Sequence, residues 1–239
     1  MIMFMKFGHR GAPGKPRYGE NTISSFSKAL RTGANALEFD VRRTKDNKIV
    51  VIHDLALNRT TNGRGNVCDF NYEDLVSLDA GYGDHIPLLA EVFDLFASSC
   101  FLNIELKERG LAIDVKKTIL ERGISESVIV SAFDEDDNDP DSSSSWDDLA
   151  VMREEVPIGL LAQKTKIDRM GRAGYVETAT RRGAGAIHPH YSAMTPNLVS
   201  LAHRAGLRVF VWTANNFLVI AGLKVMGVDG LFSDFPEKL

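Results

Sequence analysis

The chain has few cysteines, no excess of positive charge and no long apolar run, and each of these absences excludes a class of protein. Two cysteines in 239 residues are too few for a disulfide framework and fit a reducing compartment. Lys and Arg number 28 against 32 Asp and Glu, a balance that favours neither a nucleic-acid partner nor stable association with a membrane. No run approaches the roughly 18 apolar residues that span a bilayer. We therefore expect a water-soluble, cytoplasmic protein.

What the sequence does contain is the composition of a globular protein, with 44% hydrophobic and 25% charged residues. Short apolar runs alternate with longer amphipathic stretches, which is typical of repeated β-α units around a parallel sheet. Eight such runs predict an α/β fold, a TIM (β/α)8 barrel, formed as a single domain by residues 1–239. The predicted strands are 4–9, 36–41, 101–106, 128–133, 158–162, 184–188, 207–213 and 229–233, and the predicted helices are 22–32, 88–98, 112–122, 146–154, 167–182, 196–205 and 216–226.

One further apolar run, 49–53, follows the second strand too closely to be a parallel neighbour. A parallel crossover needs about a dozen residues, so we expect this run to return antiparallel as a β-hairpin around Asp46 and Asn47. This hairpin is expected to place Asp40 roughly opposite His53, so that the two side chains share one site.

Two segments look inserted between the elements of the barrel. Residues 55–85 have few apolar positions and are too long for a simple connection, so we expect a small insertion at one end of the barrel. Residues 134–145 are acidic and serine-rich, which favours a solvated loop. A calcium site is the alternative for its carboxylates, although the segment lacks the glycine and the terminal glutamate of an EF-hand loop.

Charged residues stand at the ends of the predicted strands, where barrels of this kind build their active sites. His9 and Arg10 end the first strand. Glu38 and Asp40 share one face of the second strand, because side chains in a strand alternate with a period of two. Two buried carboxylates on one face need a cation beside them, which is either a metal ion or a neighbouring arginine.

The third parallel strand repeats this arrangement, with Glu105 and Lys107 on one face. Together with the two carboxylates of the second strand, Glu105 makes an oxygen-rich group that suits Mg²⁺ or Ca²⁺ better than zinc. His9 and His53 are then free for proton transfer. A divalent ion, two imidazoles and nearby cationic side chains fit a substrate with a phosphoryl group.

In order and spacing, the motifs of this chain resemble those of the glycerophosphodiester phosphodiesterase family over nearly its whole length. Each motif is weak alone, whereas the ordered set is specific. The set comprises GHRG at 8–11, ENT at 20–22, EFD at 38–40, HD at 53–54, RTTNG at 59–63, ELK at 105–107, SAF at 131–133, WTAN at 212–215 and GVDG at 227–230.

The resemblance implies a barrel of the phospholipase C-like phosphodiesterase type that hydrolyses glycerophosphodiesters to glycerol 3-phosphate and an alcohol. It also implies a divalent cation, Mg²⁺ or Ca²⁺, as cofactor. The residue roles that it implies are His9 and His53 for acid-base catalysis, Glu38, Asp40 and Glu105 for the metal, Arg10, Lys107 and Trp212 for the substrate, and Glu20 for support of Arg10 or His9.

Two other functions stay open from the sequence. A phosphodiesterase acting on lysophospholipids or phosphoinositides would share the fold. The sequence has no basic or strongly apolar surface segment, however, and this absence counts against a membrane substrate. A barrel that binds phosphodiesters without cleaving them would be expected to lack a histidine or a carboxylate, and this chain has them all. The pattern is compatible with either histidine as the base, and with attack by water or through a cyclic phosphate.

Overall fold

The strands of the protein close into a barrel. The computed structural model describes residues 3–14, 19–134 and 146–239, and within these ranges eight parallel strands and one antiparallel strand form a single sheet. The strands are β1 Met5–His9, β2 Ala36–Arg43, β3 Ile49–Val51, β4 Phe101–Leu106, β5 Val128–Ala132, β6 Ile158–Ala162, β7 Ala186–Pro189, β8 Arg208–Val211 and β9 Gly230–Ser233.

Closure of the barrel depends on β1, which pairs with the last strand and with β2. Met5 lies opposite Gly230 of β9, and Phe7 lies opposite Ala36 of β2. The remaining strands follow in the order β8, β7, β6, β5 and β4 back to β2. The predicted (β/α)8 barrel is therefore confirmed, and the carboxyl ends of its eight parallel strands meet at one end of the barrel.

Helices cover the outside of the barrel between most of the strands. In the part of the chain that the structure describes, none of them has the length and apolar character that crossing a bilayer requires. The α-helices are α1 Ile23–Arg31, α2 Tyr72–Leu75, α3 Leu89–Phe96, α4 Ala112–Arg122, α5 Lys164–Met170, α6 Arg172–Arg181, α7 Pro196–Arg204 and α8 Phe217–Val225, and short 3₁₀ helices cover Leu57–Arg59, Val67–Asp69, Ser125–Ser127, Trp146–Val151, Tyr191–Ala193 and Pro236–Lys238.

Polar side chains cap the first turn of three of these helices. Thr22 accepts a hydrogen bond from the backbone N–H of Ser25, and Thr195 accepts one from Leu198. Asn216 caps α8 in the same way. Such a cap stabilises a helix by about 1 kcal/mol and explains why these helices begin where they do.

Two of the helix predictions are wrong in detail. The segment predicted as a helix over 146–154 is a 3₁₀ helix that ends at Val151, and the buried indole of Trp146 holds it against the sheet by donating to backbone carbonyls at 3.1 Å. The helix predicted over 167–182 is two helices, α5 and α6. They meet at Gly171, whose φ of +73° does not occur inside a helix.

The barrel interior is filled by aromatic rings, while the larger apolar core lies between the sheet and the helices. Phe7 stacks on Phe232 with ring centroids 4.3 Å apart and contacts Phe210 edge-on at 5.2 Å. Burying each such side chain contributes about 1.5–3 kcal/mol to stability. These rings lie beneath the polar residues at the carboxyl end of the barrel.

Strand β3 returns antiparallel to β2, which confirms the predicted hairpin. The register differs by one residue from the expected one. Val41 lies opposite Val51, so the backbone of Asp40 faces Ile52, whose N–H donates to the Asp40 carbonyl at 3.0 Å. His53 therefore follows the paired segment, beyond the residue opposite Asp40.

The inserted segment 55–85 has a small apolar core of its own, although few apolar positions were expected there. This core packs the segment against β3 and so fixes its position at the carboxyl end of β2. The buried residues of the small core are Val50, Ile52, Leu57, Val67, Leu75, Ala80 and Ile86.

The acidic, serine-rich segment 134–145 lies outside the described residues except for Asp134, which pairs with Lys166 at 2.6 Å.

Candidate active site

A cavity of about 220 Å³ opens at the carboxyl end of the barrel. Asp40 and Glu20 are buried beside this cavity and both contact Arg10, which lines it. The other predicted site residues that line the cavity are His9, Glu38, His53, Glu105, Lys107 and Trp212.

Three carboxylates converge at the cavity wall. One oxygen each from Glu38, Asp40 and Glu105 lies within 4.8 Å of the others, and all three side chains are buried. The convergence follows from the sheet, because Asp40 lies directly opposite Glu105 in the pairing of β2 with β4. Burial, together with the negative charge of Asp40, raises the pKa of Glu38 above its usual value.

The carboxylate group fits a hard divalent cation. Glu38 Oε1 is buried and has no hydrogen-bond partner among the residues that the structure describes, which is costly for a carboxylate oxygen. Two side chains supply part of the positive charge: Arg10 Nε lies 3.4 Å from Asp40, and Lys107 Nζ lies 3.0 Å from Glu105. Buried carboxylate oxygens in this number are the ligands that Mg²⁺ and Ca²⁺ prefer.

Two histidines face the cavity, each with a carboxylate on the far side of its ring. His9 Nδ1 lies 2.7 Å from Asp234 Oδ1, and His53 Nδ1 lies 2.7 Å from Asp54 Oδ1. A carboxylate at Nδ1 fixes the proton on that nitrogen and leaves Nε2 for the cavity. Both rings are therefore oriented for proton transfer to or from a bound molecule.

The surroundings of the two Nε2 atoms differ. His53 Nε2 lies 3.1 Å from the buried ammonium group of Lys107, which can only donate and therefore makes this nitrogen the acceptor. His9 Nε2 lies 3.9 Å from Glu38 Oε2. Burial lowers the pKa of His9, but the negative charge of Glu38 and the hydrogen bond to Asp234 outweigh it and raise that pKa above 6.5.

The turn after β1 places Arg10 at the cavity. Arg10 has a φ of +53°, and its backbone N–H donates to Glu38 Oε2 at 2.9 Å. The turn packs so tightly that a Cβ on Gly8 would lie 2.5 Å from the carbonyl oxygen of Gly11 and 2.7 Å from Ala29 Cβ. Only glycine at position 8 allows this turn to rest on α1.

Glu20 holds the side chain of Arg10. Arg10 Nη1 donates to Glu20 Oε1 at 2.8 Å. Burial raises the pKa of Glu20, but hydrogen bonds from Arg59 and the charge of Arg10 outweigh it and lower that pKa to about 2. Glu20 is therefore ionised. It pairs with Arg10 and is not one of the three converging carboxylates.

Aromatic and aliphatic side chains form a further part of the cavity wall. The indole Nε1 of Trp212 donates to the carbonyl of His188 at 2.7 Å, and the Trp212 ring contacts Phe133 edge-on with centroids 5.3 Å apart. Leu161 and Phe232 extend this wall. A cavity lined by both apolar and charged groups suits a small molecule with a carbon skeleton and an anionic end.

Four residues at the site were not predicted. Asn21 donates from Nδ2 to Asp40 Oδ2 at 2.9 Å, while the neighbouring Thr22 caps α1. Asp54 and Asp234 support the histidines, and Arg59 bridges Asp54 and Glu20. Asn21, Asp54 and Arg59 stand in the ENT, HD and RTTNG motifs, which gave them no role at this site, whereas Asp234 stands in none of the motifs and is brought to the site only by the tertiary fold.

The fold and the site together define a class of protein, a (β/α)8 barrel with paired histidines beside clustered carboxylates at the carboxyl ends of its strands. Residues 9–238 match the Glycerophosphoryl diester phosphodiesterase family. The chain belongs to this family, which confirms the resemblance seen in its motifs.

Similar proteins cover almost the whole chain. A glycerophosphodiester phosphodiesterase of Caldanaerobacter subterraneus subsp. tengcongensis is 37% identical over 236 residues, which are 92% of this chain and 90% of that protein. The crystal structure of a glycerophosphodiester phosphodiesterase from Thermotoga maritima is similar with a TM-score of 0.80 and 28% identity, covering 98% of this chain and 96% of that one. An Oleispira antarctica phosphodiesterase, solved in complex with the product sn-glycerol-3-phosphate, is similar with a TM-score of 0.81 and 25% identity, covering 99% of this chain and 95% of that one.

Proposed function

We propose that this chain hydrolyses glycerophosphodiesters to glycerol 3-phosphate and an alcohol. The observation that carries the proposal is the cavity, which brings an oriented histidine pair, three carboxylates and two cationic side chains together in a member of this family. The Oleispira antarctica relative in complex with sn-glycerol-3-phosphate supports the identity of the product.

Glu38, Asp40 and Glu105 are the residues that we propose hold a divalent cation, Mg²⁺ or Ca²⁺. The buried, unpartnered oxygen of Glu38 supports this assignment. When bound, such a cation neutralises charge on the phosphate and makes the phosphorus a better electrophile. Asn21 donates to Asp40 and holds that carboxylate in place.

His9 and His53 move the protons in this proposal. We assign the base to His53, because the ammonium group of Lys107 needs an acceptor at His53 Nε2, 3.1 Å away. His53 then takes a proton from water or from the 2-hydroxyl of the glycerol, and the latter route passes through a cyclic phosphate that water opens. His9 gives a proton to the leaving oxygen, and Asp234 and Asp54 keep the two rings in the required tautomer.

The walls of the cavity support a small phosphodiester as the substrate. Arg10 and Lys107 are the cations that we propose face the phosphate, and Trp212 and Phe133 supply the apolar surface for the glycerol carbons. The leaving alcohol then points out of the cavity and is weakly selected. We expect glycerophosphocholine, glycerophosphoethanolamine and glycerophosphoglycerol all to be substrates.

A substrate panel tests the proposal. Purified protein is incubated with each of the three esters in Mg²⁺, Ca²⁺ or EDTA, and glycerol 3-phosphate is measured with a coupled dehydrogenase. Activity with a metal and its loss in EDTA are expected, and Glu38→Gln should remove activity while Glu126→Gln, at an exposed position, should not.

Other results would point to the alternative functions. Cleavage of a lysophospholipid, a phosphoinositide or a cyclic phosphodiester without any glycerol 3-phosphate from the panel would show that the substrate assignment is wrong. Binding of the three esters without any cleavage would show a non-catalytic barrel.

We also propose that residues 1–239 fold as one domain in the cytoplasm. The continuous barrel, which joins the two ends of the chain through β1 and β9, supports a single domain. Cys68 and Cys100, both unpaired, support a reducing compartment. One cooperative unfolding transition and recovery of the protein in the cytosolic fraction are the expected results.

A further inference from the structure

Arg59 stands outside the cavity and contacts two carboxylates at once. It is the last residue of the 3₁₀ helix Leu57–Arg59 in the inserted segment. Its Nε and Nη2 donate to Asp54 at 2.6 and 2.7 Å, and its Nη1 and Nη2 donate to Glu20 at 3.0 and 2.6 Å. The guanidinium group thus makes a two-bond contact with each carboxylate, the strongest form of this interaction.

Each of these carboxylates holds a cavity residue with an oxygen that Arg59 also contacts. Asp54 Oδ1 lies 2.7 Å from His53 Nδ1, and Glu20 Oε1 accepts from Arg10 Nη1 at 2.8 Å. Arg59 is therefore one residue removed from the candidate base on one side and from a candidate phosphate contact on the other. A shift of its side chain would move both.

The chemistry of this position calls for arginine. Asp54 and Glu20 are two carboxylates facing the same group, and they would repel each other without a shared cation between them. A lysine could supply the charge, but its single nitrogen cannot make paired contacts with two carboxylates at once. The buried side chain of Leu57, in the small core of the insertion, fixes the 3₁₀ helix that presents Arg59.

We propose that Arg59 is a positioning residue that sets the orientation of His53 and Arg10 together, so that the inserted segment 55–85 is a working part of the active site. The inference rests on the proposed hydrolysis of glycerophosphodiesters. It goes beyond that function by assigning a role to a segment that contributes no residue to the histidine pair or to the carboxylate group.

Steady-state kinetics of three variants test the inference in the metal-loaded, full-length protein. Arg59→Ala should lower kcat for glycerophosphocholine by roughly 10–100-fold, the usual effect of losing a group that orients a catalytic residue. The KM should rise by a smaller factor than kcat falls, because Arg10 keeps its own hydrogen bond to Glu20 in this variant. Arg59→Lys should recover only part of the loss. Arg64→Ala, at an exposed position of the same segment, should behave as the wild type.

Two further measurements separate positioning from mere stabilisation of the fold. Millimolar guanidinium ion should raise kcat of Arg59→Ala but not of the wild type, because it can occupy the space between the two carboxylates. In ¹⁵N spectra, His53 should carry its proton on Nδ1 in the wild type and lose this preference in Arg59→Ala. The spectra need no catalytic activity, so they test Arg59 even if the wild type cleaves none of the esters.

The inference is overturned if folded Arg59→Ala keeps kcat within about twofold of the wild type. It is also overturned if kcat falls only in proportion to the folded fraction measured by circular dichroism, with the His53 tautomer unchanged. Should Arg59→Ala not fold, Arg59→Lys decides the question, since wild-type kcat in that variant would show that paired contacts are not needed.

Discussion

The imidazole of His188 should make the stability of this protein fall in mild acid. The side chain is fully buried in the barrel interior, with its ring 5.5 Å from that of Phe210 and 5.4 Å from that of Phe232. Neither ring nitrogen has a hydrogen-bond partner in the described part of the chain. Burial accordingly lowers the pKa of His188 from 6.5 to about 3.

The sign and size of the effect follow from this difference in pKa. Below its usual pKa of 6.5 the unfolded chain takes up a proton at His188, whereas the folded chain stays neutral down to about 3. The unfolded state thus binds more protons, and stability that is fully present above 6.5 is lost as the pH falls toward 3. At about pH 5 the loss amounts to ~2 kcal/mol, since each unit of pH below the usual pKa costs ~1.4 kcal/mol.

Urea unfolding at about pH 7 and about pH 5, in EDTA to remove any contribution from bound metal, measures this loss. The free energy of unfolding of the wild type should drop by ~2 kcal/mol more than that of His188→Leu, because other titrating groups contribute equally to both proteins. Phe210→Leu is the matched control, since it disturbs the same layer of the barrel but keeps the imidazole and should keep the wild-type pH dependence. Equal pH dependence in the wild type and His188→Leu would refute the reasoning.

Three further predictions concern the cavity. Asp40→Ala should weaken divalent-metal binding by more than tenfold, or ~1.4 kcal/mol, in calorimetric titration, and unchanged affinity would remove Asp40 from the metal site. His9→Ala should lower kcat for glycerophosphocholine by roughly 10²–10⁴-fold. Its kcat should recover with a p-nitrophenyl ester, whose leaving group needs no acid. Recovery in His53→Ala instead would reverse the assignment of acid and base. Trp212→Ala should raise KM more than it lowers kcat, and the opposite pattern in steady-state kinetics would argue against a role in ground-state binding.

The strands and the grouping of the candidate site residues could be predicted because their signals are local. A buried parallel strand is a short apolar run, so a carboxylate such as Glu105 inside one is conspicuous, and the period of two fixes which residues share its face. The hairpin after β2 could be predicted from the shortness of the connection between β2 and β3 alone. The register of the hairpin cannot be predicted in this way, because a short connection between two apolar runs allows the turn to shift by one residue. In the structure, Asp40 lies opposite Ile52.

Apart from Asp54, the supporting residues could not be given their roles from the sequence, because their partners are far along the chain. Arg59 lies 39 residues from Glu20, in a segment whose small core is not visible in a periodic pattern. Asn21 has the residue type and position of a helix cap, and its side chain turns instead to Asp40 because its backbone adopts a φ of +62°. Contacts of this kind depend on the closed barrel and cannot be derived from the neighbouring residues in the sequence.

The pairing of β1 with β9 also bears on how the protein is made. His9 leaves the ribosome before its partner Asp234, which follows 225 residues later. Until β9 has emerged, the barrel has an open edge on β1 and the His9 imidazole has no carboxylate to hold it. The growing chain must therefore keep seven parallel strands unclosed until β9 has emerged, and hydrolytic competence should arise in a single late step when β9 closes the barrel.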